Sequence, residues 1–70
     1  MTSEIIKRLS GYFDTVKLNQ GLGIVMVTKK EPTEGTTTEV LERLKELAPQ
    51  AVVMNNYQLK NKTYVIEFWI

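Results

Sequence analysis

The stretch Thr36-Thr37-Thr38-Glu39-Val40-Leu41-Glu42-Arg43-Leu44-Lys45-Glu46-Leu47-Ala48-Pro49 decides the fold. Thr36 with Glu39 three residues on is a capping box, and Thr38 is a second candidate cap. Val40, Leu41, Leu44, Leu47 and Ala48 then recur with helical spacing and fall on one face. Glu39 and Arg43 stand at i, i+4 on the solvated side, in the favourable order. Pro49 cannot continue a helix and ends it. A helix with one apolar stripe needs something to lay that stripe against. On both sides of this stretch the apolar period changes to two, so the partner is a sheet.

Working back toward the N-terminus, Ser3 to Ser10 reads as a second, shorter helix. Ser3 is placed to cap it, and Glu4 complements the positive end of its dipole. Ile5, Ile6 and Leu9 form its apolar stripe, and Gly11 is a natural stop. Phe13 to Leu18 reads as a strand with Val16 and Leu18 on one face. Asn19-Gln20-Gly21 is a turn. Leu22 to Thr28 is apolar on both faces, the mark of a strand in the interior of a sheet. Lys29 to Gly35, with Pro32, is a polar loop. Beyond the decisive helix, Ala51 to Leu59 and Thr63 to Ile70 read as two more strands. Lys60-Asn61-Lys62 joins them in a tight turn, with Asn61 the residue suited to positive φ.

The order helix–strand–strand therefore occurs twice. Ser3-Glu4-Ile5-Ile6-Lys7-Arg8-Leu9 aligns with Thr38-Glu39-Val40-Leu41-Glu42-Arg43-Leu44 at an offset of 35, and Glu, Arg and Leu recur identically. An internal duplication relating 3–30 to 38–70 accounts for this. Two amphipathic helices with similar caps would also look alike, and the similarity fades in the strands. Either way the expected fold is α+β, a two-layer sandwich built from two αββ units. A four-stranded, mainly antiparallel sheet would carry both helices on one face, in a single domain spanning 1–70.

Composition narrows the chemistry. The chain has 70 residues with no Cys and no His. A disulfide is excluded, and a zinc site and a Cys or His catalyst lose their usual ligands and bases. Asp14 is the single Asp, and Glu39, Glu42 and Glu46 read as a solvated helix face, so no paired carboxylates emerge. Gly21-Leu22-Gly23 lacks a third glycine and does not lead from a strand into a helix, so it is no phosphate loop. No metal and no cofactor are expected. Nine Lys+Arg against eight Asp+Glu give a net charge of +1, which argues against tight non-specific binding to phosphate backbones. No apolar run approaches a membrane span, and Met1-Thr2-Ser3-Glu4 has no basic, apolar leader, so a cytoplasmic protein is expected.

Two helices can cover only one side of the sheet. In the last strand Tyr64, Ile66, Phe68 and Ile70 alternate with Thr63, Val65, Glu67 and Trp69. The former set is the more apolar and belongs under the helices. That leaves Val53, Tyr57, Val65 and Trp69 on the other side, joined by one face of Leu22–Thr28. An uncovered sheet face is normally polar at alternate positions, and this one is not. Apolar patches of this kind mark contact surfaces, and Tyr and Trp are the usual anchors. The long loop folding back would be a different explanation. If the last strand lay at a sheet edge, pairing with another chain's strand would be a second route to contact.

The expected function is therefore non-enzymatic. The chain reads as a small interaction or regulatory protein, of inhibitor or adaptor type, with Val53, Tyr57, Val65 and Trp69 meeting a protein partner or a second copy in a homodimer. The alternative is a nucleic-acid-binding module that uses Lys60, Lys62 and Tyr64 of the C-terminal hairpin. Aromatic platforms rimmed by Lys are how sheets stack single-stranded bases.

Overall fold

A nine-residue helix and a twelve-residue helix are too short to persist alone in water, so burial must hold them. The computed structural model describes residues 2–30 and 36–70, and of Thr2, Ser3 and Thr36 only the backbone. The caps read at Ser3 and Thr36, and the loop through Pro32 and Gly35, lie outside that description. The elements run α1 (Thr2–Ser10), β1 (Thr15–Asn19), β2 (Ile24–Lys29), α2 (Thr36–Leu47), β3 (Val52–Gln58) and β4 (Tyr64–Trp69). The strands form one sheet in the order β1-β2-β4-β3 with every neighbouring pair antiparallel, an α+β architecture.

The strand order decides a point that the sequence leaves open. The last strand is not an edge: β4 lies between β2 and β3, and its register runs from Ile24↔Trp69 to Lys29↔Tyr64. The backbone N–H of Ile70 continues the pairing by donating to the Gly23 carbonyl at 3.2 Å. Among the described residues the unpaired edges belong to β1 and β3.

Alternation along the central pair generates the core. Val25 stands opposite Phe68 and Val27 opposite Ile66, and all four are fully buried. Leu9 of α1 and Val40 and Leu44 of α2 join them, with Phe13, Ala48 and Tyr64, in one apolar cluster. Ile5, Ile6 and Leu41 pack around it. Phe13, expected to open β1, instead sits just after α1. Its N–H donates to the Leu9 carbonyl at 2.8 Å, and its ring meets that of Tyr12 edge-on at 5.0 Å. The exit of α2 repeats this contact, with the Ala48 N–H donating to the Leu44 carbonyl at 2.8 Å. Lys29, on the core side of β2, keeps its charge out of the apolar cluster. Its Nζ donates to the Tyr12 carbonyl at 2.9 Å and lies over the Tyr12 ring.

Both hairpins turn through a left-handed residue. In the first this is Gly23, at φ 67°, where lack of a Cβ makes the conformation free of strain. In the second it is Lys62, at φ 71°, and not Asn61 as expected. Asn61 acts instead through its side chain, whose Oδ1 accepts the Thr63 N–H at 3.1 Å. The Lys62 N–H donates to the Leu59 carbonyl at 2.9 Å and the Leu59 N–H to the Thr63 carbonyl at 2.8 Å. This is a three-residue loop whose last position favours glycine. Lys62→Gly should therefore stabilise the fold by about 1 kcal/mol, after the entropy that glycine adds to the unfolded chain. A urea midpoint that moves down would contradict this account of the turn.

Candidate functional site: the sheet side opposite the core

The side chains that point away from the core cluster fall into three rows across the sheet. Asn19, Ile24, Trp69 and Val52 form the first, Lys17, Met26, Glu67 and Asn55 the second, and Thr15, Thr28, Val65 and Tyr57 the third. Trp69 is 49% exposed and Val52 57% exposed, so the first row is an apolar strip open to solvent. Leu22, also exposed, extends it at the same end of the sheet. The middle row carries the charge. The Asn55 Nδ2 donates to Glu67 Oε1 at 3.4 Å, a long contact on an otherwise apolar central strand.

A bulge decides which β3 residues belong here. Val53 pairs with Phe68 but Asn55 pairs with Glu67, so two steps along β3 match one along β4. The extra residue switches the phase of everything after it. Uninterrupted alternation would put Val53 and Tyr57 on the same side. The bulge separates them, so Val53 turns toward the core cluster and packs against it. Val53 is thus corrected from the open side to the core side, and Val52 takes its place. No residue type near Met54 announces a bulge, so only the pairing reveals it.

Three other expected residues, Tyr57, Val65 and Trp69, share the open side, but they differ in reach. Tyr57 is 40% exposed. Val65, between Thr28 and Tyr57 in its row, is 3% exposed and forms the floor of the surface. Ile24, Met26 and Lys17 complete the surface from β1 and β2. The two-sided apolarity of Leu22–Thr28 signals Ile24 and Met26. For Lys17 the signal is weaker: it is a polar residue on a strand whose alternate positions are apolar.

The residues of the nucleic-acid alternative divide. Lys60 and Lys62 are exposed at the tip of the β3–β4 hairpin. Tyr64 is a correction, for it lies in the core cluster at 4% exposure and cannot offer its ring to a base. Its hydroxyl donates to Asn56 Oδ1 at 3.0 Å. Among the described residues no group of three His, Cys, Asp or Glu could hold a metal ion, and no helix is long and apolar enough to cross a membrane. Comparison of the chain with protein-family models, curated proteins and solved structures finds no match.

Burial raises the pKa of Tyr64 above the ordinary tyrosine value of 10.0 by penalising the phenolate. Because the folded state holds this proton after the unfolded chain has released it, stability is intact below the ordinary value. It falls as pH rises through that value toward the folded one. Urea midpoints measured at increasing alkaline pH should decline in the wild type. The decline should be shallower in Tyr64→Phe, and equal slopes would show that Tyr64 is not the group responsible.

Proposed function

We propose that this chain is a non-enzymatic interaction protein, of inhibitor or adaptor type, whose partner is a protein docking on the open side of the sheet. In this reading both helices lie over the core side and leave the other side free, and two αββ units related by duplication make up the chain. One observation carries the proposal: Trp69, half exposed, stands between Ile24 and Val52 in a row of apolar side chains. Exposed aromatic residues set in an apolar strip with a polar border are the usual anchors of protein interfaces. The duplication draws support from the matched helix exits. The offset of 35 pairs Leu9 with Leu44 and Phe13 with Ala48, the same four residues that share the closing hydrogen bond.

The test separates anchor from core. Proteins captured from cell extract by the immobilised chain are compared with those captured by Trp69→Ala and Tyr57→Ala. Loss of an anchor should weaken capture by about tenfold or more while leaving the helical circular dichroism unchanged. If Trp69→Ala unfolds the chain, Trp69 belongs to the core and the proposal fails.

A second reading rests on a separate feature. Lys60 and Lys62 are exposed, and no acidic residue occurs between Pro49 and Ile66. An exposed basic hairpin tip of this kind can track a phosphate backbone. Without Tyr64 as a platform, binding would be mainly electrostatic. A labelled single-stranded oligonucleotide should then bind at low salt and be released as salt rises. Replacing both lysines with alanine should abolish the binding. No binding at micromolar protein in low salt ends this reading.

A further inference from the structure

We infer that the occupant of the open sheet side is a second copy of this chain, laid face to face about a two-fold axis running along β2. The inference rests on the docking reading above and names the partner. Its basis is the order of charge in the middle row. Lys17 lies on β1, Met26 on β2 and Glu67 on β4, so the two charges stand one strand to either side of Met26. Among the described residues neither takes part in an ion pair; the pair formed is Arg43–Glu46 on α2.

A two-fold axis along β2 turns each copy's β1 over the other's β4. Lys17 of one copy then faces Glu67 of the other, the reverse contact forms symmetrically, and Met26 meets Met26. The alternatives lack this match. An axis between β2 and β4 sets Met26 over Glu67. An axis across the strands sets Glu67 over Glu67 and Lys17 over Lys17. A two-fold interface must be self-complementary, and only the first axis makes the charges so.

The first row fits the same operation. Ile24 meets Ile24 on the axis, and Trp69 of one copy comes over Asn19 of the other. There it borders an open depression of about 330 Å³ lined by Lys17, Leu22, Met26 and Glu67, among others. That is roughly twice the ~150 Å³ cavity that accommodates a benzene ring, so it has room for an indole. Apolar contact on the axis with charges at its flanks is the ordinary anatomy of an interface. The overlap is three strands wide, roughly 14 Å, and about 20 Å long, small beside the ~800 Å² per partner of a standard interface. A micromolar dimer is therefore expected.

Sedimentation equilibrium of the wild type from micromolar to millimolar protein should show a monomer–dimer equilibrium. Lys17→Glu and Glu67→Lys each oppose like charges at both symmetry-related contacts, and each should weaken it about tenfold or more. Mixing the two variants should yield a heterodimer tighter than either variant alone, because every pair in it is again attractive. An attraction between Lys17 and Glu67 within one copy would give no such gain. If a reversal unfolds the chain by circular dichroism, Lys17→Gln and Glu67→Gln replace it, each expected to weaken the dimer several-fold. A wild type that stays monomeric, or a mixture with no gain, overturns the proposal.

Acrylamide quenching of Trp69, the single tryptophan, separates this failure from that of the docking reading. Free quenching in a chain that never dimerises removes the second copy and leaves the surface open for a different protein. A Trp69 shielded in the dilute monomer means that the chain covers its own sheet, and both readings fall.

Discussion

The antiparallel pairing of β2 with β4 is the constraint on which the rest depends. Alternate residues of this pair supply Val25, Val27, Ile66 and Phe68, the fully buried floor of the core. The intervening residues supply Ile24, Met26, Glu67 and Trp69, the middle of the open side. A slip of one residue along β4 would turn Glu67 toward the core cluster and carry Ile66 and Phe68 to the opposite side. Core and candidate site are thus two consequences of one alignment. Selection on either acts on the other through the shared backbone.

The edge strands have more freedom. Among the described residues β1 and β3 each pair on one side only, and β3 uses that freedom to carry a bulge. The bulge blunts an edge that would otherwise be a regular template for another strand. It also mixes the two populations of β3 residues. Val53 stays with the core while Tyr57 joins the open side, in a strand whose sequence shows no break in pattern.

This explains what sequence could and could not reveal. Element types and order were legible, because capping, helical spacing and two-residue alternation are local and mutually consistent. Ile66 and Phe68 as core and Trp69 as a surface residue followed from alternation in a strand without irregularity. Val53 was misplaced because a bulge is a property of the pairing, which sequence does not display. Tyr64 was doubly assigned, once to the core by its phase and once to a surface by its chemistry, and phase prevailed. Strand order was not legible at all, since one αββ unit can add to another on either side. The left-handed turn position went to Lys62 because the loop length, and not the residue's preference, sets which position must turn.

The topology also carries a consequence for how the chain acquires its shape. Each hairpin closes over a handful of residues, a microsecond event. β2 and β4, by contrast, meet only after the whole segment 30–63 has been brought round. Until they do, Val25 and Val27 lack Phe68 and Ile66 opposite them, and each hairpin has an unsatisfied inner edge. The joining of the halves is therefore the step that sets the folding rate, as non-local pairing does generally. Two separated halves, each with one exposed inner strand, can equally well join across molecules. A concentrated chain refolding quickly thus has an exchanged dimer open to it, distinct in origin from any complex formed by folded copies.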